Sequence, residues 1–428
     1  MSPPQPALLP CGLGAHPLRV GLPRMQNYGP YLDWIGTQLP AMRAELIALA
    51  SINSGSFNAD GVNRVAARLE ALFGSLQASV ERIEVAPCVS TADDGTRRER
   101  PLGRALRLRR RPDAPLRIFL CGHLDTVYAP TDAFQSVRSV GADTLNGPGV
   151  ADLKGGHLVM WLALSALERS PWRDRIGWEL LFNPDEEIGS RSSDPLLHEG
   201  AQRNHLGLVF EPALPDGSLT GERKGSGNFD VVVHGRAAHA GRDFAAGRNA
   251  IRACSDLVSA LDALNGAREG VTINPGYIRG GGALNTVPEL CVFKFNVRTT
   301  RREDEIWMLG ELERLLAQLN ARDGIRAELH GGFTRPPKPF DEANRRLSGM
   351  FADCGRQLGL DLQFKPTGGC CDGNNLAAYG LPNVDNLGVV GANIHSAQET
   401  MRISSLAERG ALSALLLLRL ASGELQWC

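Results

Sequence analysis

The sequence predicts an α/β protein with a doubly wound, mostly parallel sheet that is interrupted by an inserted α+β unit. Three observations predict it. Apolar strands and helices alternate along residues 118–210. From about residue 225 the order of elements changes to β-α-β-β-α-β, and after residue 336 the alternation of helix and strand resumes. The 428 residues are enough for two or three domains of ordinary size.

The first part of the sheet domain is expected over residues 25–224 and begins with helices, since apolar residues recur at helical spacing through residues 30–75. The polar stretch 89–115, with its arginine cluster from Arg97 to Arg111, indicates a solvated hairpin or loop to which we assign no function. Strands are then predicted at 118–121, 178–182 and 206–210, and the first is a continuous apolar run, which is typical of a buried parallel strand.

The inserted unit is expected over residues 225–335. Strands are predicted at 229–234, 271–279, 290–299 and 325–330, and helices at 249–264 and 303–320. This order matches the ferredoxin-like arrangement, and about 110 residues is a common domain size. The proline-rich segment 335–339 is expected to be a linker back to the sheet domain.

The second part of the sheet domain, residues 336–428, returns to the first pattern. Helices are predicted at 344–358 and 404–420, and strands at 360–365 and 383–387. At the other end of the chain, residues 1–24 are proline-rich, and no charged segment precedes Leu8 and Leu9. We therefore expect a disordered extension there rather than a secretory signal.

Composition narrows the classes of partner. The net charge of −1 argues against a nucleic-acid or membrane surface as the main partner. No uninterrupted apolar run reaches the roughly 18 residues of a membrane helix. The nine cysteines form no C-x-x-C pair, which favours a reducing compartment over a disulfide framework. We expect a cytoplasmic protein.

Histidines and carboxylates follow the predicted strands. His123 and Asp125 come directly after the strand at 118–121, and residues two apart in an extended chain point the same way. The carboxyl ends of parallel strands meet at one edge of the sheet, where open α/β sheets bind ligands. Other strand ends and glycine-rich loops carry Asp152, Glu186, Glu187, Glu211 and His395.

This set of residues indicates a metal centre. The adjacent Glu186 and Glu187 would repel each other unless a cation lies nearby or one is protonated. Mixed histidine and carboxylate ligands suit zinc, and also cobalt or manganese. Five candidate ligands exceed one tetrahedral zinc and fit two metals that share one carboxylate, about 3.5–4 Å apart. They are His123, Asp152, Glu187, Glu211 and His395.

Each residue taken alone has a structural alternative. Glu186 and Glu187 could begin a helix, where acidic residues favour the dipole. Asp152 could be a helix N-cap ahead of two glycines. His395 could be a core histidine with its hydrogen bonds satisfied. The joint occurrence of these residues at predicted strand ends favours the metal centre.

Three motifs resemble the zinc-dependent aminoacylase/carboxypeptidase family, which includes glutamate carboxypeptidase, succinyl-diaminopimelate desuccinylase and acetylornithine deacetylase. They are residues 122–128, 182–187 and 394–396, and they are most like the glutamate carboxypeptidase branch. The resemblance extends from about residue 30 to the end of the chain and implies two zinc ions per subunit.

For the cluster, the resemblance implies that His123 and Glu211 bind one metal, that Glu187 and His395 bind the other, and that Asp152 bridges them. It also implies two supporting roles. Asp125 would accept a hydrogen bond from the far ring nitrogen of His123 and so fix its tautomer. Glu186 would be the general base that activates water.

For the inserted unit, the resemblance implies a lid and dimerisation domain. His239 would reach into the partner subunit's active site and stabilise the oxyanion. Asn285, Arg298 and Arg335 match substrate-binding positions, and an arginine fork suits a carboxylate. Taken alone, an arginine at a strand end, such as Arg298, more often forms a surface ion pair, and Arg335 is expected in a linker. Cys370 would lie near the substrate carboxylate, where glutamate carboxypeptidase has a different sequence, so the preferred amino acid does not carry over.

The sequence therefore predicts a dinuclear zinc hydrolase that cleaves N-acyl amino acids or dipeptide-like substrates with a free C-terminal carboxylate. It is expected to be a homodimer that acts on small molecules. An acetylornithine or succinyl-diaminopimelate type of deacylase is the alternative within enzymes. A metal-binding or regulatory protein that has lost catalysis is the alternative outside them.

Overall fold

The computed structural model describes residues 27–427, so the predicted disordered extension over residues 1–24 lies outside the described residues. The elements before the insertion are, in chain order, α1 (Gly29–Thr37), α2 (Leu39–Ala50), α3 (Ala59–Phe73), β1 (Ser79–Ile83), β2 (Cys88–Thr91), β3 (Arg97–Arg100), β4 (Ala105–Arg110), β5 (Leu116–His123), β6 (Arg138–Gly141), β7 (Thr144–Asn146), α4 (Gly155–Arg169), β8 (Ile176–Asn183), α5 (Asp194–Arg203), β9 (Leu206–Val209) and β10 (Leu219–Arg223).

The inserted unit contains β11 (Gly225–His234), α6 (Ala250–Asp262), β12 (Thr272–Gly280), β13 (Leu290–Thr299), α7 (Arg302–Asn320) and β14 (Arg326–Arg335). After it come α8 (Glu342–Gln357), β15 (Phe364–Thr367), α9 (Asp372–Ala378), β16 (Asn383–Val384), β17 (Gly391–Ala392), β18 (Thr400–Arg402) and α10 (Ser405–Ser422).

The central sheet has the strand order β1-β4-β8-β5-β9-β16. Strands β8, β5, β9 and β16 are parallel, whereas β4 is antiparallel to β8 and β1 to β4. Side chains of β5 alternate between its two faces: Ile118 and Leu120 pack with α4 and α10, and Phe119 and Cys121 pack with α5 and α9. Helices on both faces of a mostly parallel sheet confirm the predicted fold class.

Helix α4 is the central helix of the main core. By length and composition alone, the segment Val150–Arg169 would qualify as a membrane span, although Asp152 and Lys154 interrupt its apolar residues. However, 94% of its most apolar window is buried inside the protein. Its residues pack against β5 and α10 in the main hydrophobic cluster, as the core helix of an α/β domain does.

The inserted unit forms a separate antiparallel sheet with the order β12-β13-β11-β14. Its element order is the β-α-β-β-α-β order expected from the sequence. Phe229, Val231 and Phe293 face a core that α6 and α7 cover, and the opposite face carries polar residues such as Asn228 and Lys294. The exact domain boundaries and the role of this unit as a lid stay predictions.

The return to the sheet domain differs from the expectation. Arg335 is the last residue of β14 rather than part of a linker, and its side chain is buried. Lys338 forms an isolated β-bridge with Arg223, which explains why the proline-rich segment is held in place. The strand predicted at 360–365 is shorter and lies at 364–367, where it pairs with β10 outside the central sheet.

Candidate metal centre

The end of β5 presents His123 at the edge of the central sheet. Its imidazole is buried, and its Nδ1 lies 3.0 Å from the backbone carbonyl oxygen of Asp125. A carbonyl oxygen only accepts, so Nδ1 carries the proton and Nε2 is left as a metal donor. The Asp125 carboxylate is farther from Nδ1, at 3.4 Å. The backbone carbonyl of Asp125 is thus the nearer acceptor for the Nδ1 proton, and the carboxylate that the sequence predicts for this role lies beside it.

Asp152 lies between two histidines that are far apart in sequence. Its Oδ1 is 3.0 Å from His123 Nε2, and its Oδ2 is 3.1 Å from His395 Nε2. The irregular turn that carries Asp152 is held by Glu399, whose carboxylate accepts hydrogen bonds from the backbone N–H groups of Gly149, Ala151 and Asp152. Asp152 is therefore not a simple helix N-cap.

The other two carboxylates flank this arrangement. Glu187 Oε2 lies 3.2 Å from His395 Nε2, and Glu211 Oε1 lies 3.9 Å from His123 Nε2. Donor atoms of His123, Asp152 and Glu187 all lie within 4.8 Å of one another. The structure thus brings together the five predicted ligands, which come from five separate segments of the chain.

Burial and mutual contacts shift the pKa values of these groups strongly. Burial, reinforced by the charge of Asp152, raises the pKa of Glu187 to about 8, and burial raises the pKa of Glu211 well above its usual range. Hydrogen bonds to Asp152 and Glu187 raise the pKa of His395 to about 11. Carboxylates crowded in this way repel one another unless cations lie between them. Imidazole nitrogen and carboxylate oxygen form a donor set that fits zinc, cobalt or manganese.

Glu186 follows β8 in the same short turn that carries Glu187. The Asp125 carboxylate accepts hydrogen bonds from the backbone N–H groups of Glu186 and Glu187, at 3.1 and 3.2 Å. The Ser56 hydroxyl donates to the same carboxylate at 2.7 Å. Burial raises the pKa of Glu186 to about 7, although the positive charge of Arg335 opposes the shift. Asp125 therefore orients the turn that carries both glutamates.

Arg335 connects Glu186 to the body of the protein. Its guanidinium donates to Glu186 Oε1 at 2.6 Å and to Asp372 Oδ1 at 2.5 Å. It also donates to Ser190 Oγ and Asn375 Oδ1, each at 2.9 Å. These protein acceptors occupy both terminal nitrogens. Sequence reasoning did not find this network, since its partners have no motif in common.

Arg298 and Cys370, two further predicted substrate-binding residues, lie in contact. Arg298 Nη1 is 3.2 Å from Cys370 Sγ, and Arg298 Nε donates to Asn296 Oδ1 at 2.9 Å. Both side chains are half-buried. In the described part of the chain, no carboxylate lies within ion-pair distance of Arg298, so the surface ion pair considered from the sequence is not formed.

His239 and Asn285 lie on two paired, exposed loops of the inserted unit. The Ala240 N–H donates to the Asn285 carbonyl oxygen at 2.8 Å, and a β-bridge pairs His239 with Thr286. His239 Nδ1 accepts from the N–H groups of Gly241 and Arg242, so its Nε2 carries the proton. Within residues 27–427 of one chain, neither side chain has a hydrogen bond or ion pair to the ligand cluster.

A mixed α/β fold with this cluster at the carboxyl ends of its strands defines a metal-dependent hydrolase. Comparison with known families agrees, because the model of "Peptidase family M20/M25/M40" matches residues 119–419. The chain belongs to this family. The resemblance found from the sequence is confirmed, and the protein is a metallopeptidase-type hydrolase.

Individual relatives support the assignment. The chain is 28% identical to carboxypeptidase G2 of Pseudomonas sp. (strain RS-16) over 392 residues, 90% of each chain. It is 27% identical to the succinyl-diaminopimelate desuccinylase of Bordetella bronchiseptica over 70% of this chain and 81% of that protein. Among solved structures, an M20 family metallo-carboxypeptidase of Sulfolobus solfataricus is similar with a TM-score of 0.68 at 16% identity, covering 88% of this chain and 98% of that one.

Proposed function

We propose that the protein is a dinuclear zinc hydrolase that cleaves the amide bond of an N-acyl amino acid or dipeptide-like substrate with a free C-terminal carboxylate. One observation carries the proposal. Asp152 directs its two carboxylate oxygens at two different histidines, 3.0 and 3.1 Å away, and each histidine has a further carboxylate beside it. Two half-sites that share one carboxylate suit a pair of divalent cations.

The residues divide between the two positions. His123 and Glu211 would hold one cation, Glu187 and His395 the other, and Asp152 would serve both. Zinc suits these donors, and cobalt or manganese suits them as well. When bound, divalent cations polarise the amide carbonyl and make a water molecule more acidic.

Glu186 is placed to move the proton. Its carboxylate would accept the proton of the attacking water at Oε and pass it to the leaving nitrogen. Two contacts support this role: Asp125 orients the backbone of Glu186, and Arg335 binds Oε1. Because Arg335 also binds Asp372, it holds the base in one position.

The substrate carboxylate is assigned to Arg298 rather than Arg335. The terminal nitrogens of Arg335 are occupied by protein oxygens, whereas Arg298 has a thiol, that of Cys370, as the partner of its Nη1. A guanidinium without a carboxylate partner binds an anionic substrate group more readily. His239 and Asn285 would complete the partner subunit's site, with His239 Nε2–H stabilising the oxyanion.

The first experiment separates catalysis from metal binding. We expect Glu186→Gln to retain the metal content of the zinc-reconstituted wild type but to lose roughly 10²–10⁴-fold in turnover, since only proton transfer is removed. The measurement pairs elemental analysis with hydrolysis of a panel of N-acyl amino acids and dipeptides. A chelator is expected to abolish activity, and added zinc to restore it.

Glu222→Gln is the matched control, because Glu222 is an exposed glutamate of the same domain. It should leave both metal content and turnover unchanged. Loss of metal in Glu186→Gln would identify Glu186 as a ligand rather than the base. No amide hydrolysis by the zinc-loaded wild type would contradict the proposed function and favour a non-catalytic metal-binding protein.

A further inference from the structure

A recess opens beside the metal cluster. It is a cavity of about 300 Å³ that reaches Glu187 and is walled by Phe57, Val127, Ile188 and Arg100. Phe57 and Val127 leave 38% and 41% of their surface exposed, although both are apolar. Exposed apolar walls next to a reactive centre are typical of a ligand pocket. The cavity therefore has a place for part of a substrate.

Arg100 contributes a positively charged side chain to the wall of this cavity. It is the last residue of β3, and its guanidinium carbon lies 3.3 Å from the centre of the Phe57 ring. In the described part of the chain, Arg100 has no carboxylate within ion-pair distance, whereas Arg98 of the same strand binds Asp94 at 2.9 Å. The positive charge of Arg100 is thus balanced only by the face of an aromatic ring.

The hairpin that carries Arg100 is fastened at its tip. Strands β2 and β3 pair in the register Cys88↔Arg100 to Thr91↔Arg97. Tyr277 of the inserted sheet donates its hydroxyl hydrogen bond to Asp93 at 2.5 Å, and Lys294 donates to the Thr91 carbonyl oxygen at 2.5 Å. The tip of the hairpin is therefore held against the inserted sheet, and the stack on Phe57 holds Arg100 at the opposite end, beside the cavity.

The cavity and the assigned carboxylate site are separate places. Arg298 and Cys370 do not line the cavity, whereas the metal-ligand candidate Glu187 does. If the C-terminal carboxylate binds at Arg298, as the proposed function holds, the other side of the scissile amide faces the cavity. This step rests on the proposed function and extends it to the acyl side of the substrate.

We infer that Arg100, stacked on Phe57, determines specificity for the acyl side of the substrate: it favours an acyl group that ends in an anion and rejects one that ends in a free ammonium. An unpaired guanidinium attracts a carboxylate and repels an ammonium a few ångströms away. Partial exposure screens the interaction, so we expect about tenfold discrimination or more between opposite charges. The enzyme would then hydrolyse N-acyl amino acids in preference to free dipeptides.

The test uses three acyl groups of nearly equal length and shape. Succinyl, butyryl and β-alanyl amides of one amino acid end in an anion, a methyl group and an ammonium. For the zinc-loaded wild type, kcat/KM should fall in that order. Arg100→Gln should reduce the succinyl to β-alanyl ratio about tenfold or more, and Arg100→Lys should keep the order. Calorimetric binding of the same compounds to Glu186→Gln protein should give the same ranking without turnover.

Arg98→Gln is the matched control, because it removes a charge from the same strand that is already paired with Asp94. Its substrate ranking should equal that of the wild type. An unchanged ratio in Arg100→Gln, or a wild type that prefers the β-alanyl amide, would overturn the inference while the hydrolysis itself upholds the proposed function. If the wild type cleaves none of the three amides or the wider panel, both proposals fail.

Discussion

Arg298 and Arg335 have the same side chain but different surroundings, and the difference decides what each can do. Arg335 is buried and binds two carboxylates, those of Glu186 and Asp372. Arg298 is half-buried and has no such partner among the described residues. Arg335 is therefore expected to stabilise the fold and to hold Glu186 in position, whereas Arg298 is expected to bind substrate.

This difference predicts opposite results for the same substitution. Arg298→Gln should raise KM about 10–100-fold for substrates with a free C-terminal carboxylate, because one charge-assisted contact is lost. It should change KM little for the same substrates when their C-terminal carboxylate is replaced by a carboxamide. Its unfolding midpoint should stay that of the wild type. Arg335→Gln should instead lower the free energy of unfolding by about 3–5 kcal/mol, since it leaves buried carboxylates unpaired. Denaturant titration and steady-state kinetics of both variants check this. Equal effects on KM in the two variants would show the assignment to be wrong.

At the scale of elements, the chain enters the inserted unit after β10 and leaves it after β14. One carboxylate binds residues at both of these passages. Asp385, just after β16, binds Arg223 at the end of β10 at 3.0 Å and Lys338 after β14 at 2.7 Å. All three side chains are buried. Although burial alone would raise the pKa of Asp385, the charges of Arg223 and Lys338 outweigh it and lower the pKa.

Asp385→Asn should therefore destabilise the protein by about 3–5 kcal/mol at neutral pH. A carboxyl group whose pKa is lower in the folded state stabilises fully above its unfolded pKa, near 3.9, and loses that contribution as the pH falls through the folded value. The gap in the free energy of unfolding between the wild type and the variant should thus be constant above about pH 5 and shrink below about pH 4. Chemical unfolding across this pH range measures it. Asp361→Asn, at an exposed position, is the control, and a gap that widens in acid would contradict the argument.

The elements that the sequence predicted well are those with strong local signals. Apolar runs identified β5, β8 and β9, and their parallel alignment explains why His123, Glu187 and Glu211 meet at one edge. Contacts across long stretches of chain had no such signal. Glu399 supports Asp152 from about 250 residues away in the sequence. Arg100 belongs to a hairpin whose arginine cluster predicted only a solvated surface, not a contact with Phe57. Local patterns specify strand ends, whereas tertiary packing selects the residues that support them.

At the scale of the whole molecule, the inserted unit has surfaces that one chain leaves uncovered. Strand β12 is at the edge of its sheet, with Ile278 52% exposed, and Leu284 beside Asn285 is fully exposed. Unpaired edges and exposed apolar residues are typical of interfaces. They support the expectation of a homodimer, in which the exposed His239 loop of one subunit would reach the partner subunit's metal centre.

Subunit complementation tests this arrangement directly. His239→Ala homodimers should lose about 10²–10³-fold in turnover through the missing oxyanion donor, and Glu186→Gln homodimers should lose the base. A heterodimer of the two variants, purified with two different tags, contains one site with an intact Glu186 that faces an intact His239. It should therefore recover about half of the wild-type turnover per dimer, as two-fold symmetry requires when each subunit completes the other. If His239 instead served its own subunit, the heterodimer would be as inactive as its parents. Sedimentation of the wild type as an active monomer would exclude the shared site altogether.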